Sequence, residues 1–277
     1  YSPVVSWSSV RTILLLAKIN GYVTRQVDFI LAYPQADIPY DNYMNLPHGI
    51  KTKTGNGNTH VLKLLKNIYG GKNSGLVWMN YLKEGLENIG FVQSSVDSCV
   101  FYRGEVIFFY YVDDGIFVGN SKGEIDKAIR DLKNRKKAKN KYDIDDQGDI
   151  TDYLGINFDA DSVDGNIQMT QPHLIDQIVS EVGITAKEPG KTTPAMCSKI
   201  LRRCAEEPTV NPGFNYRKVI GKLNFLEKSS RPDIAYAVHQ CARFCEEPKE
   251  EHVKAVRHLA KYLRDTRDKG LIMKVDS

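Results

Sequence analysis

The strongest constraint on what this chain can fold into lies between residues 100 and 119. Val100 to Tyr102 and Val106 to Val112 are apolar and aromatic throughout, and the run resumes at Ile116 to Val118 after Asp113-Asp114-Gly115. β-Branched and aromatic residues of this kind favour strands. Asp-Gly between two apolar runs is a strong hairpin signal. The sequence therefore predicts a core hairpin that turns at Asp114-Gly115. Such a hairpin is a costly place for two adjacent carboxylates, because each disfavours the charged form of the other unless a cation neutralises both. The plain alternative is that Asp114-Gly115 only makes the turn and Asp113 accompanies it.

The elements around this hairpin are legible from periodicity. Ser8 or Ser9 is placed to cap a helix through Val10, Ile13, Leu14 and Ala17, ending near Gly21. Tyr22 to Ile30 reads as a strand, Lys51 to Thr59 as a loop, and His60 to Leu65 as a short strand. Ser74 to Ile89 reads as a helix with Leu76, Met79, Leu82 and Leu86 on one side. Ser121-Lys122-Gly123-Glu124 forms a capping box that opens a helix toward Arg135, and Tyr153 to Phe158 and Ile167 to Met169 look like strands. Strand–helix–strand–strand–helix–strand is the order of a ferredoxin-like α+β sheet. In that sheet the first strand, which carries Asp28, lies beside the central hairpin. Asp28, Asp113 and Asp114 would then meet as oxygen-only ligands suited to Mg²⁺. Two such ions about 4 Å apart are what a phosphoryl-transfer site needs. After Gln171 the pattern changes: breaker-rich stretches at Pro189 to Pro194 and Pro208 to Pro212 precede a mostly helical Tyr216 to Arg264. The boundary is expected near 165–170, giving regions 1–167 and 168–277.

Charge is less telling. A net charge of +4 on 277 residues is too small to announce a nucleic-acid binder. Its distribution is uneven, with Lys122 to Lys141 basic and Asp143 to Asp164 carrying eight aspartates and no basic residue. Solvated faces account for most such blocks. Five cysteines suggest no disulfide framework. Cys241 and Cys245, one helical turn apart, favour core packing over zinc. No apolar run reaches the roughly twenty residues of a membrane span. The opening Tyr-Ser-Pro-Val-Val has no signal-peptide character, and the chain reads as a piece of a longer one.

Several ordered motifs resemble the polymerase region of copia-type retrotransposon reverse transcriptases. Tyr111-Val112-Asp113-Asp114 matches their Tyr-x-Asp-Asp box. Tyr1 to Val5 resembles their Ser-Pro-Val-Val segment, and Gln26-Val27-Asp28, Ala32-Tyr33, Tyr43-Met44 and Pro47-x-Gly49 resemble the block around their first catalytic aspartate. Leu64 to Trp78 resembles the Tyr-Gly-x-Lys…Trp block. Asp152 to Ile156 resembles the segment after the palm helix, and Arg231 to Val238 with Tyr262-Leu263 the C-terminal region.

The resemblance implies a right-hand polymerase with a ferredoxin-like palm and partial fingers over 1–167. A mostly helical thumb or connection region follows over 168–277, and the RNase H domain is absent. It implies an RNA-directed DNA polymerase with Asp28, Asp113 and Asp114 as catalytic and metal-holding residues for two Mg²⁺ ions, or Mn²⁺ in their place. The Phe29 carbonyl would be a further ligand. Tyr33 would sit under the incoming sugar and exclude a 2′-hydroxyl, its plain alternative being a core tyrosine, and Asn73 would touch the nucleotide. Tyr111 and the primer-grip residues Tyr153, Leu154 and Gly155 would face primer and template. The expected partners are an RNA or DNA template, a primer and deoxynucleoside triphosphates, without a membrane, within a polyprotein carrying integrase and RNase H. The expected place is the cytoplasm, in a virus-like particle, with a nuclear phase. The family has Gln followed closely by a small residue and Arg; Asn73, Gly75 and Leu76 stand there, so Asn73 and Leu76 depart from the pattern. Lys254, Arg257, Lys261 and Arg264 recur beside the stripe Val253, Val256, Ala260 and Leu263, forming a basic ridge that either tracks a phosphate backbone or is a solvated face. Two rivals stay open: a decayed or domesticated copy that binds RNA without polymerising, and a metal-dependent nuclease.

Overall fold

The computed structural model describes residues 3–50, 60–133, 142–159, 166–196, 200–203 and 211–274. The loop expected at Lys51 to Thr59 lies outside them. Two compact units divide after Ile150.

In the first unit, α1 (Trp7–Ile19) buries Val10, Ile13, Leu14 and Ala17, as its periodicity predicts. Its cap is Ser6, not Ser8 or Ser9: the Ser6 hydroxyl accepts the Ser9 N–H at 3.1 Å. The Ser9 hydroxyl instead donates to Asp97 at 2.7 Å. The chain then runs through β1 (Val23–Phe29), α2 (Ala32–Gln35), the small antiparallel pair β2 (Tyr43–Asn45) and β3 (Val61–Lys63), α3 (Ser74–Asn88), β4 (Val92–Gln93) and β5 (Val100–Arg103). The hairpin β6 (Val106–Tyr111) and β7 (Asp114–Gly119), α4 (Lys122–Lys133) and β8 (Ile144–Gly148) complete it. The sheet order is β4-β5-β6-β7-β1-β8. Within it, β1-α3-β6-β7-α4-β8 has the strand–helix–strand–strand–helix–strand order read from the sequence, with β1 inserted between the hairpin and the last strand. That last strand, however, is β8, inside the aspartate-rich stretch, and not the expected Tyr153 to Phe158.

Two local expectations are corrected. Tyr111 pairs with Asp114, so the turn residues are Val112 and Asp113, while Asp114 and Gly115 belong to β7. Gly115 is demanded by packing: a Cβ there would lie 2.7 Å from the Phe108 ring and 3.1 Å from Val27. The buried stripe of α3 is Ser74, Trp78, Leu82, Gly85 and Leu86, whereas Leu76 is exposed. Trp78 takes the centre because its ring meets Phe29 at 5.3 Å and Tyr142 at 6.2 Å.

The second unit starts earlier than the expected 167. Tyr153 to Phe158 is not one strand but the hairpin β9 (Asp152–Tyr153) and β10 (Ile156–Asp159), turning on Leu154 and Gly155 with φ +55° and +74°. β10 pairs with β11 (Ile167–Thr170), and β11 with β12 (Leu271–Met273), so these strands cannot be divided at 167. The helices α5 (Pro172–Val182), α6 (Tyr216–Ser229), α7 (Ala235–Ala242) and α8 (Glu250–Asp265) enclose a core that includes Cys241. Arg231 is buried beside them. Its guanidinium holds Asp233 through two bonds of 2.9 Å and donates to the Thr266 carbonyl at 2.9 Å. Among the described residues no helix is long and apolar enough to cross a membrane.

The packing of Gly115 gives a direct check on the turn register. Gly115→Ala should lower unfolding stability by about 1–3 kcal/mol in urea titration, the usual cost of overpacking a core. A neutral effect would place Gly115 in an open turn.

Candidate active site

Strand periodicity sets the site. Along β1, Val27 and Phe29 are buried while Asp28 points to the opposite, more open face. Phe29 stacks edge-on against Trp78, Phe108 and Tyr142, so only its backbone is available at the site. Asp28 is the cross-strand partner of Asp114 on one side and of Asp145 on the other. Asp113 occupies the turn next to them.

That turn is pinned at three points. The Trp78 Nε1–H donates to the Val112 carbonyl at 2.8 Å. The Phe29 N–H donates to the Asp113 carbonyl at 2.8 Å. The Tyr69 hydroxyl donates to Asp113 Oδ2 at 2.8 Å. Gln35 adds a clamp, its amide donating to the carbonyls of Ile30 at 2.7 Å and Asp143 at 3.0 Å, which ties the exit of β1 to the entry of β8.

Electrostatics mark the same spot. Burial pushes the Asp28 carboxyl above its ordinary range, and the charges of Asp113 and Asp145 push it further. Burial also raises Asp113, against the opposing pull of the Tyr69 hydrogen bond. Tyr33 stands close enough to feel Asp113 and Tyr111, and its ring lies 4.6 Å from that of Tyr69. The structure thus sets Asp28 opposite Asp114, Asp113 in the adjoining turn after Tyr111, and Tyr33 within electrostatic reach of Asp113 and Tyr111. Asn73 is exposed at the N-terminus of α3 and its side chain makes no capping bond.

The residues present fit a divalent cation in kind: the donors are all oxygens, and Asp113 Oδ1 is buried without a hydrogen-bond partner among the described residues. Among the described residues, however, no three His, Cys, Asp or Glu groups stand assembled to hold a metal ion. Sequence reasoning missed Tyr69, Trp78 and Gln35 as supports. Tyr69 and Trp78 fall inside a recognised block, but nothing local in it signals a bond to a turn more than thirty residues away.

The remaining expected residues lie in the second unit. Tyr153 is fully buried, so its ring serves that unit's core and cannot face a primer; in the turn Leu154 is half-buried and Gly155 exposed. The basic ridge on α8 is broken by internal partners. Arg257 donates to the Val182 carbonyl at 3.0 Å, Lys261 pairs with Glu188 at 3.0 Å, and Arg264 bonds the carbonyls of Thr185 and Glu188. Only Lys254 projects, 60% exposed and 3.4 Å from Glu250. The segment after α5 covers the rest, which is why helical spacing alone suggested a free ridge.

With these geometries in hand, comparison with known proteins fixes the class. The sequence model of the family described as "Reverse transcriptase (RNA-dependent DNA polymerase)" matches residues 1–197. The chain belongs to that family, and its copia-type character is borne out by its relatives. It is 30% identical over 99% of its length to the retrovirus-related Pol polyprotein from transposon RE1 of Arabidopsis thaliana. It is 29% identical over 96% of its length to that from transposon TNT 1-94 of Nicotiana tabacum. The Ty1-DR5 Gag-Pol polyprotein of Saccharomyces cerevisiae is 25% identical over 94% of the chain. The chain spans about a fifth of the length of these curated relatives, 18%, 20% and 15% respectively.

The tie between α8 and the segment after α5 makes acid stability testable. The Lys261 hydrogen bond, with the Thr185 N–H, holds the Glu188 carboxyl down at about 2 against an ordinary 4.5. A depressed carboxyl contributes stability that is present above its unfolded pKa and lost as pH falls through the folded one. Thermal unfolding of the whole chain should therefore lose stability between about pH 4.5 and 2, and Glu188→Gln should flatten that limb. Equal pH slopes in the two proteins would show that the contact carries no linkage.

Proposed function

We propose that this chain is the polymerase region of a copia-type reverse transcriptase, joining deoxynucleotides to a primer 3′-hydroxyl under direction of an RNA or DNA template. The first unit would be the palm with part of the fingers, and the second the thumb or connection region. The observation that carries the reading is the Asp113 carboxylate. It sits on a turn fixed at three points, beside Asp28 and Asp114, with a buried oxygen that no group among the described residues satisfies.

Asp28, Asp113 and Asp114 are the residues that would hold Mg²⁺, with Mn²⁺ as a substitute. Bound there, the two ions would lower the pKa of the primer hydroxyl and neutralise the triphosphate during in-line displacement of pyrophosphate. The chain's own part is positional. Trp78 and Phe29 keep the Asp113 backbone fixed, so the carboxylate need not reorganise as charge develops. Tyr33 presents its ring on the same side and would exclude a 2′-hydroxyl by contact. Asn73, exposed at the start of α3, is free to meet the nucleotide. Lys254 is the one member of the α8 series that projects far enough to meet a phosphate backbone. Integrase and RNase H would be supplied by the rest of a polyprotein, acting in a cytoplasmic particle. A decayed copy that only binds RNA would need no carboxylate row; keeping all three favours catalysis.

Primer extension on a poly-ribonucleotide template, with and without Mg²⁺, tests this. Asp113→Asn should cut extension by more than about a hundredfold, a loss of several kcal/mol of transition-state stabilisation, while template binding persists. Extension near the wild-type rate would overturn the assignment. In the same assay Tyr33→Ala should admit ribonucleotides at least about tenfold more readily. Unchanged selectivity would reduce Tyr33 to a packing residue.

A further inference from the structure

Tyr69 does two things at once. Its hydroxyl donates to Asp113 Oδ2 at 2.8 Å, reaching across 44 residues of sequence. Its ring lies 4.6 Å from Tyr33 with the planes tilted by 43°. A tyrosine that merely filled a core would be enclosed, yet Tyr69 is 48% exposed. The other oxygen of the same carboxylate, Oδ1, is buried with no hydrogen-bond partner among the described residues. Carboxylates that bind metals through one oxygen commonly have the other held by a hydrogen-bonding neighbour, which fixes the orientation of the ligand.

We propose that Tyr69 is a positioning residue for both halves of the site, a reading that rests on the polymerase assignment above. Its hydroxyl turns Asp113 so that Oδ1 is left for a divalent cation, and its ring backs Tyr33 on the side of the incoming sugar. One side chain thereby couples cation placement to sugar selection. The two roles separate by chemistry. Tyr69→Phe removes the hydroxyl and keeps the ring, whereas Tyr69→Leu removes both.

The test is Mn²⁺ titration of the whole chain, following the free ion by electron paramagnetic resonance, in parallel with ribonucleotide against deoxynucleotide selectivity. Tyr69→Phe should weaken Mn²⁺ binding about tenfold or more, the usual effect of losing such a partner, with selectivity unchanged and thermal stability close to wild type. Tyr69→Leu should weaken both Mn²⁺ binding and selectivity. Asp113→Asn serves as the reference. If it loses Mn²⁺ while Tyr69→Phe binds as wild type, the bond only ties a loop to the hairpin and this inference falls alone. If wild type and Asp113→Asn bind Mn²⁺ alike, the cation reading falls and takes the Tyr69 role with it.

Discussion

Val112 is a β-branched residue held at φ +57°, a conformation that L side chains resist by about 1–2 kcal/mol. The position of Asp113 depends on keeping it there. The Trp78 indole and the Phe29 amide hold the two carbonyls of the turn, and both residues belong to the aromatic cluster under β1. That cluster extends to Tyr142, whose hydroxyl donates to the Tyr81 carbonyl at 2.6 Å. Gly85 is required there because its missing Cβ leaves room for the Tyr142 ring. Tyr142 lies two residues before β8, so the cluster that fixes the hairpin also sets where the last strand of the unit begins. The carboxylates are therefore placed by apolar packing on the opposite face of the same strands.

Strain recurs where function was expected. The three non-glycine residues with positive φ among the described ones are Leu31, Val112 and Leu154. Leu31 lies between Asp28 and Tyr33, and its turn lets a strand residue and a residue of α2 serve one site. Val112 sets Asp113 at the hairpin tip. Leu154 makes the turn of the segment that resembles the primer grip. Backbone strain persists only where its surroundings over-determine it, and it concentrates at functional positions. Each of these turns is held by paired strands or by side-chain bonds to its carbonyls.

Much of this was legible in the sequence, for definite reasons. β1 and the hairpin announce themselves because a sheet covered by helices needs continuous apolar and aromatic runs, whereas β8, with Asp145, Asp146 and Gln147 all exposed, gives no such signal. Asp28 could be set beside the hairpin because a ferredoxin-like element order puts the first strand next to the central hairpin. Local ambiguity caused the misses. Gly115 reads as a turn residue because a glycine that needs φ freedom and one that needs empty space look alike in sequence. Leu76 reads as core because hydrophobicity does not reveal that Trp78 takes the place facing Phe29. The Tyr153 to Phe158 segment reads as a single strand because the Leu154 turn departs from the usual turn residues. The ridge of α8 shows what periodicity leaves out: it tells which residues share a face, but Glu188 and Thr185, which cover that face, come from a segment with no period.

Asp145, Asp28 and Asp114 stand in one row across β8, β1 and β7, and like charges directly opposite on neighbouring strands destabilise a sheet. The sign follows from the raised carboxyls. Asp28 and Asp113 hold protons more tightly in the folded chain, so their contribution to stability is present at low pH and lost as pH rises through their folded pKa values. At neutral pH the row is a cost, offset by the aromatic packing behind it. A divalent cation would reverse that sign, turning mutual repulsion into shared attraction. The same row that weakens the free chain would then give it differential affinity for the ion, with the rigid turn keeping the carboxylates from relaxing apart.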